Sequence, residues 1–197
     1  MKVKDKIYYQ VATDRNYKVG DKLEFGQTLN GVGERVLNTH FQKSGVPINR
    51  LGFDYLDNKN IFKNKKLILD MSKALLEADF VLRELAAEEV RKENFPTLPS
   101  RFRCMFLSES KVEALANLKK FQKDSSGKHY QAVAVKVSGN IFYAKEVGLQ
   151  RNGLSYHDNK KVAEQYWAQN QNSSESIKEI LFEGKAEVVE ILEEVSK

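Results

Sequence analysis

The sequence predicts a single α+β domain over residues 1–197, with mixed or antiparallel sheets and about three helices. Short runs of apolar and aromatic residues, which are typical of strands, occur near both ends of the chain and in its middle. Between them lie longer segments in which apolar residues recur at helical spacing. Because strands and helices do not alternate strictly, an α+β fold is favoured over a doubly wound parallel sheet.

The composition is that of a globular chain, because 41% hydrophobic and 30% charged residues allow a buried core. No apolar run approaches the roughly 20 residues that a bilayer-spanning helix needs. The N-terminus also lacks the long apolar stretch of a secretory signal. We therefore expect a cytoplasmic location and no membrane association. The net charge of +5 fits a protein that meets phosphates, so nucleic acid is a possible partner.

Neither a disulfide nor a metal site is expected. Cys104 is the single cysteine of the chain, so no internal disulfide can form. His40, His129 and His157 are far apart in sequence, and none has a second ligand at the spacing that a helix or hairpin would supply.

The first part of the chain predicts a strand, then a short half-exposed strand or extended segment, and then a long loop. Residues 7–11 form an apolar and aromatic run, and Leu23 and Phe25 alternate with charged residues. Residues 27–65 show no dominant period and are expected to form a loop with a short helix around 34–42. A loop of this length is often functional, which makes it a candidate lid or substrate-contacting segment.

The middle of the chain predicts a helix, a stop and a buried strand. Apolar residues recur at helical spacing from Leu75 to Val90, and Pro96 should end this helix near Asn94. The apolar run 104–107 is short enough for a buried strand. Ser110, with Glu three residues later, has the pattern of a capping box that begins a second helix.

The last part of the chain predicts further strands and one more helix. The expected strands are residues 132–137, 141–144, 176–182 and 185–192. A turn at 138–140 separates the first two, and Glu183-Gly184 joins the last two. Asp158 is expected to cap the helix that contains Tyr166 and Trp167.

Two arginines lie where the middle loop meets its strand. Arg101 and Arg103 follow the carboxylates Glu88 and Glu89 of the preceding helix. Arginine offers a planar fork that suits phosphate, so this junction is a candidate site for an anionic ligand. The alternative is a structural cluster of ion pairs at the end of the helix.

Glu179 is a second candidate. In a strand it would share a face with Ile177 and Leu181, since side chains alternate between the two faces. A carboxylate among apolar neighbours is costly unless it is paired or used, which makes Glu179 either functional or the partner of a nearby arginine.

Several segments together carry a resemblance to a known family. They are residues 8–13, 89–91, 95–96, 99–108, 113–114, 132–137, 166–167 and 178–181. Their order resembles the ADP-ribosyltransferase fold. It is similar in particular to small bacterial proteins that carry Glu-Val-Arg, Phe-Pro and Pro-Ser-Arg in succession.

The resemblance implies that NAD is the substrate and that ADP-ribose is transferred to a macromolecule, protein or nucleic acid, of unknown identity. Glu179 would be the catalytic carboxylate of the late strand. Gln10 stands at the first-strand position where the family has His or Arg, and it would contact a ribose or the amide. The residues expected to bind the cofactor are Tyr9, Thr13, Ser100, Arg101, Arg103 and Tyr130, with the arginines on the diphosphate and a tyrosine stacked on a ring.

Two other functions fit the same residues. The first is a noncatalytic module that binds nucleotide or RNA in the same cleft, with Gln10 marking the lost chemistry. The second is transfer of a phosphate from RNA to NAD, which some members of the fold perform.

Overall fold

The computed structural model describes residues 1–38, 65–124, 129–144, 149, 154–169 and 179–196. Within them the strands are β1 (Lys2–Thr13), β2 (Lys22–Phe25), β3 (Met105–Leu107), β4 (His129–Ala144) and β5 (Glu179–Ser196). The helices are α1 (Gly31–Asn38), α2 (Lys65–Asn94), α3 (Lys111–Asp124) and α4 (Tyr156–Trp167). The expected α+β class is confirmed, and of the two kinds of sheet expected, mixed or antiparallel, the described strands form the antiparallel one.

The sheet is built around two long strands, β4 and β5, which pair along their whole length. β1 pairs with the free edge of β4, while β2 and β3 lie end to end along the free edge of β5. Tyr9 and Ser108 exchange two backbone hydrogen bonds of 3.1 and 2.7 Å, which link β1 to the residue after β3. The pairings therefore run in a ring from β1 through β4, β5 and β3 back to β1.

The two faces of this ring bury separate cores. Tyr8, Val135 and Phe182 belong to a core on one face, and the side chains of β3, β4 and β5 alternate into it. On the opposite face Leu181 and Trp167 belong to the core that α2 and α4 cover. A further, smaller cluster lies where α3 covers the beginning of β4 and the end of β5. The region where the loop before β3 meets α2 and α4 thus rests on a rigid sheet.

The sequence predicted two turns that the structure does not contain, at 138–140 and at Glu183-Gly184. β4 continues through residues 138–140, and β5 continues through Glu183 and Gly184, so that each pair of expected strands is one strand. Gly139 and Gly184 are partners in the register, and Gly184 has a φ of +140°. The two glycines allow a close approach of the two backbones in mid-strand, whereas in the sequence they had indicated a chain reversal.

The helix boundaries agree with expectation at some ends and differ at others. α2 ends at Asn94 as predicted but begins at Lys65, before the apolar pattern that had indicated it. Ser110 caps α3 as predicted, since its Oγ accepts the Glu113 backbone N–H at 3.2 Å. The cap of α4 is Ser155 and not Asp158, because the Asp158 backbone N–H donates to the Ser155 side chain.

The expected loop at 27–65 is only partly described. Within it α1 covers Gly31–Asn38, so the helix expected at 34–42 begins three residues earlier than predicted. Its expected end falls in residues 39–64, which lie outside the described residues, as do residues 170–178 before β5. None of the helices in the described ranges is both long enough and apolar enough to cross a membrane.

The close approach of the two backbones at Gly139 and Gly184 can be tested by adding one methyl group. In Gly139→Ala the Cβ would overlap the Glu183 carbonyl oxygen and lie 2.8 Å from the Gly184 Cα. We expect the free energy of unfolding to fall by about 1 to 3 kcal/mol, as is typical of overpacking. Urea denaturation measures it, with Gly31→Ala as the control because nothing lies within 4 Å of its added Cβ. Equal stability of the two variants would contradict the close approach.

Candidate functional site

A buried arginine ties three elements together next to β3. The Arg101 side chain is only 8% exposed, and its Nε donates to Glu84 on α2 at 2.8 Å. A second nitrogen, Nη2, is 3.3 Å from the other oxygen of Glu84. The third, Nη1, donates to Tyr166 on α4 at 2.8 Å and to Glu179 on β5 at 2.5 Å. We call Arg101, Glu84, Tyr166 and Glu179 the arginine network.

The electrostatics of the arginine network favour the charged forms of Arg101 and Glu84 and the neutral form of Tyr166. Burial opposes the charge of Arg101, but Glu179, Tyr166 and Glu84 raise its pKa well above the ordinary value. Burial likewise favours the neutral acid of Glu84, yet the charge and hydrogen bonds of Arg101 hold the pKa of this carboxyl below its ordinary value. The Tyr166 hydroxyl donates to Glu179 at 2.8 Å, and burial raises the pKa of this tyrosine well above its ordinary value.

The structure therefore brings together two residues that the sequence had singled out, Arg101 and Glu179. Four of the five N–H groups of the guanidinium already donate to protein groups, and the side chain is buried, so no fork of two donors is left for a diphosphate. For Arg101 this geometry favours a structural ion pair, the alternative to an anion-binding site that the sequence had left open.

A cavity of about 1090 Å³ lies beside the arginine network. One wall is a face of α2 that includes Leu85 and Lys92, and another is the segment that runs from Pro96 to Arg103. Arg91 fixes these two walls to each other, because it donates to the carbonyl oxygens of Pro96 and Leu98 at 3.3 and 3.1 Å. The cavity is thus framed by a helix and by a loop that is bonded to that helix.

A carboxylate that the sequence interpretation missed, Glu183, lines this cavity. It lies on the same face of β5 as Glu179, and its Oε1 accepts the backbone N–H of Ser100 at 2.8 Å. The sequence interpretation placed Glu183 in a turn, which broke the alternation. The available signal was the two-residue period from Glu179 through Leu181 to Glu183.

Cationic side chains also line the cavity. Lys2, Lys92 and Arg103 are exposed there, and within the described part of the chain they form no salt bridge. Arg91, in contrast, is paired with Glu88 through hydrogen bonds of 3.0 and 2.8 Å. Three cations are thus available to a ligand, whereas Arg91 is a structural group.

The remaining predicted site residues lie on β1 and its partner β4, away from the cavity. Gln10 is opposite Val133, and its buried Oε1 has no hydrogen-bond partner among the residues that the structure describes. Tyr9 pairs with Ser108 through its backbone. Thr13 is opposite Tyr130, which is fully buried against α3, so the ring of this tyrosine is not accessible for stacking.

Among the predicted residues, Ser100 and Arg103 line the cavity, while Arg101 and Glu179 lie in the arginine network. The structure thus divides the predicted site into three places instead of one cleft. Across the ranges described, no group of three or more His, Cys, Asp or Glu side chains could hold a metal ion.

The structural role of the arginine network can be tested with Arg101→Met. The substitution leaves Glu84 buried without its main partner, so we expect the free energy of unfolding to fall by about 3 to 5 kcal/mol. Urea denaturation measures this loss. Arg103→Met is the matched control, because Arg103 is exposed and should tolerate the change with little loss. Equal stability of the two variants would exclude a structural role for Arg101.

The lowered pKa of Glu84 also predicts a pH dependence. A carboxyl whose pKa is depressed by folding stabilises the folded state fully above its ordinary pKa of 4.5, and this contribution is lost as the pH falls through the lower folded value. The difference in unfolding free energy between wild type and Arg101→Met should therefore shrink in acid. Denaturation curves from about pH 7 down to 3 measure it. A difference that stays constant over this range would contradict the pairing.

Comparisons with known proteins place the chain in a family. The sequence has no significant match among curated proteins. A family model described as "Protein of unknown function (DUF2441)" matches residues 8–194. The match extends from β1 to β5 and includes both the arginine network and Glu183. The chain belongs to the DUF2441 family.

Proposed function

We propose that the protein binds a dinucleotide of the NAD type in the cavity and transfers its ADP-ribose part to a macromolecule in the cytoplasm. One observation carries the proposal: the cavity combines cations that form no salt bridge with any described residue and a carboxylate that a backbone N–H holds in place. The resemblance of the sequence to ADP-ribosyltransferases supports the choice of dinucleotide.

The size and lining of the cavity suit such a ligand. Pockets of 300 to 1000 Å³ enclose most of a drug-sized molecule, so about 1090 Å³ is sufficient for a dinucleotide. Lys92 and Arg103 can neutralise the diphosphate, and arginine does so with a planar fork of donors. Leu29, Leu85 and Phe102 provide apolar surface for a base.

The proposed chemistry is cleavage of the bond between nicotinamide and ribose. Positive charge develops on the ribose as nicotinamide leaves, and the acceptor then forms the new bond to the same carbon atom. A negative group fixed near that carbon stabilises the charge at little cost of reorganisation. Either Glu179 or Glu183, which lie on one face of β5, supplies this negative group.

A second candidate is a noncatalytic module that binds nucleotide or RNA. It is favoured by the positions of two residues of the predicted cleft: Gln10 lies away from the cavity, and four of the five N–H groups of the buried Arg101 already donate to protein groups. The module would use the same cations without turnover. RNA binding through phosphates must weaken as salt rises, so salt-insensitive binding would count against it.

Binding of NAD and its turnover test the proposal separately. Isothermal titration calorimetry should show NAD binding to the wild type, and Arg103→Ala should weaken it about tenfold because a charge-assisted hydrogen bond is lost. Lys119→Ala, which removes an exposed cation of α3 outside the cavity, is the matched control and should bind as the wild type does.

Turnover is measured as nicotinamide release from NAD in the presence of cell lysate. Release by the wild type supports the transferase. Binding without release supports the noncatalytic module, and absence of NAD binding contradicts the transferase proposal.

A further inference from the structure

We infer that Glu183, and not Glu179, is the carboxylate that contacts the ribose farther from adenine in a bound dinucleotide. The inference rests on the proposed function, because it takes the cavity as the binding site. It assigns the two carboxylates of β5 different roles. Glu183 contacts the ligand, whereas Glu179 holds the protein together.

Glu183 has hydrogen-bonding capacity left for a ligand. A carboxylate offers about four lone-pair positions. One oxygen of Glu183 accepts the Ser100 N–H, and in the described residues no cation pairs with either oxygen. Its negative charge is therefore not neutralised, and its second oxygen can accept a hydrogen bond inside the cavity.

Glu179 is in the opposite situation. Its Oε1 receives hydrogen bonds from both Arg101 and Tyr166, and the guanidinium neutralises its charge. Glu179 is also absent from the cavity wall. A ligand could use this carboxylate only by breaking contacts of a buried cation, which is costly.

Gly26 keeps the Glu183 side chain accessible. A Cβ at this position would contact the Glu183 side chain at 3.4 to 3.5 Å, so any larger residue would begin to cover it. The Gly26 N–H donates to the Arg103 carbonyl oxygen at 3.0 Å, which fixes the glycine beside the cavity. Gly26, the residue that follows β2, thus leaves the Glu183 carboxylate accessible from the cavity.

The chemistry of the lining identifies the part of the ligand that Glu183 meets. An unpaired carboxylate needs donors, and the hydroxyl groups of a ribose supply them. Phosphates would be repelled by Glu183 and attracted by Lys92 and Arg103. The lining therefore fits a phosphate ester that carries a free ribose beyond the phosphates, as ADP-ribose does and ADP does not.

The experiment compares the affinities of ADP-ribose and ADP by calorimetry. The wild type should bind ADP-ribose about tenfold more tightly, because one charge-assisted hydrogen bond is added. Glu183→Gln keeps an acceptor for Ser100 but loses the charge, so the preference should disappear. Glu187→Gln is the matched control, since Glu187 is a half-exposed carboxylate of the same strand that pairs with Lys136 outside the cavity. It should keep the preference.

Glu179→Gln should keep the preference for ADP-ribose while lowering thermal stability. If Glu183→Gln does not fold, Glu183→Asp withdraws the carboxylate by one methylene and should lower the preference. Retention of the full preference in the folded Glu183 variant overturns the inference and leaves the proposed function standing. Loss of the preference in Glu179→Gln alone also overturns it. If the wild type binds neither ligand, the proposed function fails and the inference with it.

Discussion

The structure around the cavity depends on the burial of one guanidinium group. A buried charge is tolerated only when its hydrogen bonds are satisfied, and Arg101 finds its acceptors on α2, α4 and β5. The acceptors lie 17, 65 and 78 positions from Arg101 in the sequence, so the charge helps to specify how these elements meet. The segment from Pro96 to Arg103 is fixed at the same time, because Arg101 belongs to it and Arg91 holds its beginning.

The position of the cavity carboxylate follows from this arrangement. Ser100 precedes Arg101, so the contact that anchors Arg101 to Glu179 also presents the Ser100 N–H to Glu183. Two adjacent residues of one loop thus hold two carboxylates on one face of β5. One carboxylate is paired with a buried cation, and the other accepts a hydrogen bond from an uncharged donor and has no cationic partner among the described residues. The two glutamates on this face of β5 therefore differ in their capacity to bind a ligand.

Much of the local structure could be predicted from the sequence, since it depends on neighbouring residues. Pro96 ends α2 and Ser110 begins α3, and both act within a few residues of their own position. The sequence also singled out Arg101 and Glu179, because an arginine beside a buried strand and a carboxylate among apolar residues both require partners. It did not predict the continuity of β4 and β5, since Gly139 and Gly184 indicate turns when read alone and act here as a pair. Nor could it predict the cavity or the exposure of Glu183, which depend on long-range packing.

We propose above all that the ligand binds in the cavity and contacts Glu183. A crystal structure of the protein with ADP-ribose tests it most directly. We expect the ligand to occupy the space between α2 and the segment ending at Arg103, with a ribose hydroxyl within hydrogen-bond distance of Glu183 and with Arg101 still bound to Glu84. A ligand bound at Gln10 on β1, or one that displaces Glu179 from Arg101 while the cavity stays vacant, would contradict it.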